Sequence, residues 1–103
     1  MIGIGITSTP NRPEHLKWCL EMIEKYTFNK DYRLYYYIDT DAKGVAYGKN
    51  MCLYNLQDCE HVFLFDDDCA PKKEGWIDFF TSSGYNHLLF RPIRLMIAQR
   101  CRR

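Results

Sequence analysis

The order of apolar and polar residues along the chain predicts alternating strands and helices. Isoleucine alternates with glycine or threonine from residue 2 to residue 7, a pattern typical of a strand that a neighbour approaches closely. Behind Pro13, apolar residues recur at helical spacing through about residue 26. The same order continues with a tyrosine-rich strand at 33–38, a helix at 45–56, an apolar strand at 61–66, a short helix after Pro71 and a strand at 86–90. This succession predicts an α/β fold, with a small Rossmann-like, mostly parallel sheet and flanking helices.

Gly48 interrupts the second predicted helix. A glycine inside a helix costs about 1 kcal/mol relative to alanine. We therefore expect another part of the chain, or a ligand, to approach the helix closely at this position.

Three consecutive aspartates, Asp66 to Asp68, follow the apolar run from Val62 to Phe65. A continuous apolar run predicts a strand buried on both faces, in the middle of a parallel sheet. Ligands of open α/β sheets gather at the carboxyl ends of such strands. In an extended backbone Asp66 and Asp68 share a face and Asp67 points away. The carboxylates of Asp66 and Asp68 then repel each other, and a bound cation would relieve this repulsion. Carboxylate oxygens suit Mg²⁺ or Mn²⁺, and the competing interpretation is a solvated acidic loop that caps the next helix.

The charges divide the chain into two parts. Residues 1–90 contain nine lysines and arginines against thirteen acids, whereas residues 91–103 contain five arginines and no acid. We predict one domain at 1–90 and a basic amphipathic tail at 91–103, with a short helix after Pro92. The tail is expected to form a homo-oligomer contact or to cover apolar surface. Contact with anionic membrane surfaces or with nucleic acid is the alternative.

The five cysteines lack the CxxC spacing of zinc sites, and their odd number does not indicate a disulfide framework. No apolar run is long enough to span a bilayer, and the first residues lack the basic flank of a signal peptide. The expected location is therefore the cytoplasm.

Four motifs follow the predicted elements in order. They are Asn11-Arg12-Pro13, Asp39-Thr40-Asp41, the stretch from Gly44 to Gly48-Lys49-Asn50, and Phe65-Asp66-Asp67-Asp68 followed by Pro71. In this order they resemble the nucleotide-binding half of family 2 glycosyltransferases of the GT-A fold, over about residues 2–90. The resemblance implies a minimal GT-A-like domain and a glycosyltransferase that takes a nucleoside diphosphate sugar. It also implies Mn²⁺ or Mg²⁺, held by the Asp-x-Asp motif.

The resemblance assigns roles to individual residues. Asp68 would ligate the metal directly, Asp66 would lie near the ribose and the metal, and these two are the expected catalytic residues. Asp67 would be the variable middle residue of the motif, and Asp66 and Asp67 both belong to the expected donor-binding residues. Asp39 would contact the nucleotide base, with Asp41 as its competitor and a turn-forming role as the alternative. The other expected donor-binding residues, several of which also suit helix caps or a solvated helix face, are Thr7, Ser8, Asn11, Arg12, Lys49 and Asn50.

Two departures from the family leave other functions open. The stretch between Asp41 and Asn50 is shorter than in the family, so the base pocket is expected to be open. Inverting members place the acceptor site and a general base in a second half without a counterpart here, where Glu74 and Asp78 are the only later acids. The stereochemistry of transfer is therefore undecided. The alternatives are a non-catalytic nucleotide-sugar-binding module and a nucleic-acid-associated protein that acts through its arginine-rich tail.

Overall fold

A computed structural model describes residues 1–28, 30–82, 87–90 and 96–99, the last two ranges as backbone. Strands β1 to β3 form a parallel sheet in the order β2-β1-β3, while β4 and β5 pair antiparallel in a separate sheet. The predicted α/β fold with a small Rossmann-like parallel sheet is confirmed. The elements are β1 (Ile2–Ser8), α1 (Pro13–Tyr26), β2 (Tyr32–Ile38), α2 (Val45–Asn55), β3 (His61–Asp66), α3 (Trp76–Thr81), β4 (His87–Phe90) and β5 (Met96–Gln99).

The central strand is β1, and its alternating residues serve the two faces of the sheet differently. Ile4 and Ile6 are fully buried in a core cluster with residues of α1 and α3. Gly3 and Gly5 point to the opposite face, where α2 and the residues after it pack. The sheet therefore lies between α1 and α3 on one side and α2 on the other.

The prediction that β3 lies in the middle of the sheet is wrong. Among the described strands β3 is an edge strand, and its residues Val62 to Phe65 are only half-buried. Phe63 and Phe65 pack edge-on against Trp76 of α3, with ring centroids 4.9 and 5.5 Å away. The opposite face of the same sheet is covered by α2. An edge strand of a sheet covered on both faces is apolar on both faces, which explains the continuous apolar run.

Trp76 joins the core to the end of α1. Its indole Nε1 donates a hydrogen bond to the buried Thr27 hydroxyl at 3.1 Å. The indole thereby satisfies its single polar group while its rings fill the core.

The close approach predicted at Gly48 is confirmed. A Cβ added there would lie 3.0 Å from Thr7 Cγ2 and 3.1 Å from Tyr37 Cδ2. The glycine therefore lets the first turns of α2 rest on the carboxyl ends of β1 and β2. This contact places α2 beside the residues that follow those strands.

We expect Gly5→Ala to destabilise the fold. The added methyl carbon would lie 2.7 Å from Cys52 Cβ and 3.0 Å from Leu64 Cδ2, so α2 must shift. Overpacking of this kind lowers the free energy of unfolding by about 1–3 kcal/mol, which urea denaturation would measure. Cys52→Gly removes the nearest obstructing carbon, and in that background Gly5→Ala should cost clearly less. Equal costs in the two backgrounds would show that the contact with α2 is not the cause.

The predicted fourth strand is present as β4, but its partner is β5 and not the parallel sheet. The helix predicted after Pro92 is wrong at Met96–Gln99, where the backbone is the strand β5. Pairing with His87–Phe90 supplies these residues with backbone hydrogen bonds that a short helix would otherwise have to provide. The rest of the predicted tail, at 91–95 and 100–103, lies outside the described residues. Within the described part of the chain, none of the helices has the length and apolar character that a membrane crossing requires.

Candidate functional site

A cavity of about 240 Å³ opens at the carboxyl ends of the three parallel strands. The chain leaves β1 for β2 on one side and returns from β2 to β3 on the other, so the strand order reverses beside β1. Ligands of open α/β sheets bind at such a reversal. The cavity is lined by residues that follow each strand and by the start of α2, namely Thr7, Ser8, Thr9, Arg12, Tyr37, Asp39, Gly44, Val45, Gly48, Asp66, Asp67 and Asp68.

The three aspartates lie in the turn that follows β3, and residues 66–69 are called the acidic turn below. The strand ends at Asp66, and the amide of Cys69 donates a hydrogen bond to the Asp66 carbonyl at 3.0 Å. One ligand atom from each of Asp66, Asp68 and Cys69 lies within 4.8 Å of the others. Asp68 thus comes back beside Asp66 through a turn, and not through the extended backbone expected from the sequence. Two carboxylates at this spacing can share one cation.

Asp67 points to the other face of the sheet and is buried, with 5% of its surface exposed. Its Oδ2 accepts a hydrogen bond from the Ser8 hydroxyl at 2.8 Å, and its Oδ1 lies 3.1 Å from Arg12 Nη2. Arg12 occupies the N-cap position of α1 but makes no side-chain capping bond there. The middle residue of the motif is therefore buried, and its contacts with Ser8 and Arg12 join β3 to β1 and α1.

Asp66 faces α2 and already has two partners. Its Oδ1 accepts a hydrogen bond from Thr7 Oγ1 at 3.3 Å and lies 3.1 Å from Lys49 Nζ. Both side chains of this ion pair are partly exposed, at 53% for Asp66 and 32% for Lys49. Lys49, predicted to bind the donor, thus contacts the proposed metal ligand although it does not line the cavity.

Two cysteines border the acidic turn, and the four cysteines among the described residues are free thiols. The Cys19 thiol of α1 donates to the Cys69 carbonyl at 3.1 Å, and burial raises the pKa of Cys19 to about 12. Burial, followed by the charge of Asp68, also raises the pKa of the Cys69 thiol. The donors best suited to a cation are therefore the carboxylates of Asp66 and Asp68, which fit the hard ions Mg²⁺ and Mn²⁺.

Asp39 holds the turn that leads into α2. Its two carboxylate oxygens accept hydrogen bonds from the backbone N–H groups of Lys43 and Gly44, each at 2.9 Å. Gly44 has a φ of +96°, which favours glycine because a side chain would be strained there. Asp39 lines the cavity, whereas its competitor Asp41 is exposed and does not. The turn-forming role is thus present, and contact with a base stays a prediction.

We expect Asp39→Ala to lower the free energy of unfolding by about 1–2 kcal/mol, because two backbone N–H groups lose their acceptors. Asp41→Ala is the matched control, and a surface substitution of this kind should change the free energy by less than about 0.5 kcal/mol. Urea denaturation of both variants would test this. A larger loss in Asp41→Ala than in Asp39→Ala would contradict the assignment of the turn to Asp39.

The structure brings together only some of the predicted donor-binding residues. Thr7, Ser8 and Arg12 line the cavity together with Asp39 and the three aspartates. Asn11 and Asn50 are exposed and do not line it, and the Asn11 side chain instead accepts a hydrogen bond from Thr9. Residues of the site without a donor-binding or metal assignment from the sequence are Thr9, Tyr37, Gly44, Val45, Gly48 and Cys69. Of these, Gly44 and Gly48 stood in one of the four motifs, and Tyr37 stood in the tyrosine-rich strand.

A second, larger hollow of about 300 Å³ lies over α1 and is mostly apolar, with Pro10, Leu16 and Leu20 in its wall. It contains none of the three aspartates of the acidic turn, so size alone does not identify the site.

No family model, no curated protein and no solved structure matches this chain. The resemblance to family 2 glycosyltransferases therefore stays a prediction. The features of the molecule that bear on function are the geometry of the acidic turn and of the cavity beside it.

Proposed function

We propose that this protein is a glycosyltransferase that binds a nucleoside diphosphate sugar together with Mn²⁺ or Mg²⁺. The observation that carries the proposal is the convergence of Asp66 and Asp68 within 4.8 Å, at a cavity where the strand order reverses. The positions of Arg12 and Asp39 in the same cavity support it. The one cavity offers carboxylates for a cation, a guanidinium for a phosphate and a turn beside which a nucleoside can lie.

Two carboxylates and one guanidinium of the site would bind the charged groups of the donor. Asp66 and Asp68 would hold the cation, which when bound would offset the negative charge of the diphosphate. Arg12 is fixed by Asp67 on one side, and its Nε is buried without a hydrogen bond to the described residues. The hydrogen bonds of the fold therefore do not use all the N–H groups of this guanidinium. The side chain is 39% exposed, and its exposed N–H groups suit a phosphate oxygen. The volume of about 240 Å³ lies below the usual range of small-molecule sites, which is about 300–1,000 Å³, so part of the donor would extend beyond the cavity.

A binding module without transfer is the second candidate, because the described residues of the cavity include no carboxylate that is free to act as a general base. Among the described residues, its acids are Asp39 and the three aspartates of the turn. Asp39 holds the turn before α2, Asp67 is paired with Arg12, and the other two are the cation ligands. Of the later acids, Asp78 is paired with Lys30 at 2.7 Å, and neither Glu74 nor Asp78 lines the cavity.

Titration calorimetry with several nucleoside diphosphates, each with Mn²⁺ and with a chelator, would test donor binding. We expect at least one of them to bind, and only with the cation. Equal affinity in both conditions would overturn the metal-dependent site. Chromatography of the matching sugar donors would then separate the two candidates, because transfer or hydrolysis releases the nucleoside diphosphate and a binding module does not.

A further inference from the structure

Two basic side chains from neighbouring elements are paired with carboxylates of the acidic turn. Arg12 is paired with the buried Asp67, and Lys49 is paired with Asp66 at 3.1 Å. Asp68 is exposed, and its side chain accepts a weak hydrogen bond from the Cys69 thiol at 3.5 Å. Of the two carboxylates that suit a cation, one is therefore already neutralised by a lysine of α2.

We propose that Lys49 is an exchange residue, which occupies Asp66 until a divalent cation displaces it and then binds the phosphates that arrive with the cation. This inference rests on the proposed function, since it concerns the same site. Lys49 Nζ lies 3.1 Å from Asp66 Oδ1, which also accepts a hydrogen bond from the Thr7 hydroxyl, so a cation held by the Asp66 carboxylate would compete with the lysine. A cation bound to this carboxylate drives the ammonium away, because the two positive charges repel each other.

The position of Lys49 makes the exchange possible. The ion pair is partly exposed, and exposed pairs of this kind contribute little to stability, so a divalent ion can displace the lysine. Lys49 lies on the second turn of α2, one residue after Gly48, which is in the wall of the cavity. The flexible stem of a lysine can move its ammonium from Asp66 toward that cavity without movement of the helix.

The exchange couples cation binding to phosphate binding. The free chain should bind the cation less tightly than its two carboxylates allow, because Lys49 must first be displaced. The released ammonium then adds to the attraction for a diphosphate. By linkage, the diphosphate raises the affinity for the cation by the same factor.

Lys49→Gln is expected to change two affinities in opposite directions. Mn²⁺ alone, followed by electron paramagnetic resonance of the free ion, should bind about two- to fivefold more tightly, because the internal competitor is gone. A nucleoside diphosphate with saturating Mn²⁺ should bind roughly tenfold more weakly, because a charge-assisted contact is lost. Lys49→Arg keeps the charge and should restore most of the second affinity.

Lys17→Gln is the matched control, because it removes the same charge from an exposed lysine of α1 that is paired with Glu21 at 4.0 Å. It should leave the Mn²⁺ affinity unchanged. Equal Mn²⁺ affinity in Lys49→Gln and the parent chain, or an equal increase in Lys17→Gln, would overturn the exchange. If Lys49→Gln tightens Mn²⁺ binding while no nucleoside diphosphate binds the parent chain, Lys49 competes with the cation as inferred and the proposed function fails.

Discussion

Asp68→Ala is expected to abolish the cation-dependent binding of a nucleoside diphosphate and to leave the fold intact. Asp68 is one of two carboxylates that can hold the cation, and the other is already shared with Lys49 and Thr7. Without Asp68 the cation would have to displace Lys49 and remain on a single carboxylate. Calorimetry should therefore give the same low nucleotide affinity with Mn²⁺ as with a chelator.

The stability of Asp68→Ala separates a lost ligand from a lost fold. Asp68 is exposed, so the free energy of unfolding should change by less than about 0.5 kcal/mol. Relief of its repulsion with Asp66 can even raise that free energy. Asp31→Ala, which removes an exposed carboxylate from the residue before β2, is the control for net charge and should keep full nucleotide binding. Nucleotide affinity in Asp68→Ala equal to that of the parent chain would remove the support for a metal role of this residue.

The succession of strands and helices could be predicted because it depends on local patterns. Alternation in β1 and the helical spacing in α1 are each visible within about ten residues. The position of β3 at the edge of the sheet was not visible in this way. Both faces of the sheet are covered by helices, so Phe63 and Phe65 on one face, and Val62 and Leu64 on the other, are apolar whether the strand is central or at the edge.

The carboxylates of the site could be predicted, whereas their partners could not. Alternation along β3 does place Asp66 and Asp67 on opposite faces, in line with Thr7 and Ser8 of the neighbouring β1. What each one meets depends on the packing of a helix far away in sequence. Asp67 meets Arg12, and Asp66 meets Lys49, and no local pattern records which basic residue reaches which acid.

The turn after Asp66 shows a second limit of the sequence. Both an extended backbone and the observed turn bring Asp66 and Asp68 together. The pairing of these two carboxylates could therefore be predicted from an extended backbone, although the backbone turns there. Only the turn also brings in Cys69, whose amide closes it and whose thiol lies in the cluster. The place of Cys69 beside the two carboxylates therefore could not be predicted from the sequence.

Asp67→Ala is expected to cause the largest loss of stability of any single substitution in the site. Its carboxylate is buried and accepts from both the Ser8 hydroxyl and the Arg12 guanidinium, so removal leaves two donors without an acceptor. The side chain of Arg12 is 39% exposed, and water will recover part of this cost. The free energy of unfolding should fall by about 2–4 kcal/mol. Asp67→Asn keeps an acceptor for Ser8 and should lie between Asp67→Ala and the parent chain.

Asp78→Ala is the matched control for Asp67→Ala, because it breaks an ion pair that is shorter but exposed. Asp78 lies 2.7 Å from Lys30, against 3.1 Å between Asp67 and Arg12. If burial decides the effect, Asp78→Ala should cost at most about 1 kcal/mol in spite of its shorter distance. Urea denaturation of the two variants measures both quantities. Equal losses in the free energy of unfolding would mean that burial does not strengthen the contribution of Asp67. They would also mean that its contacts with Ser8 and Arg12 do not join β3 to β1 and α1 as inferred.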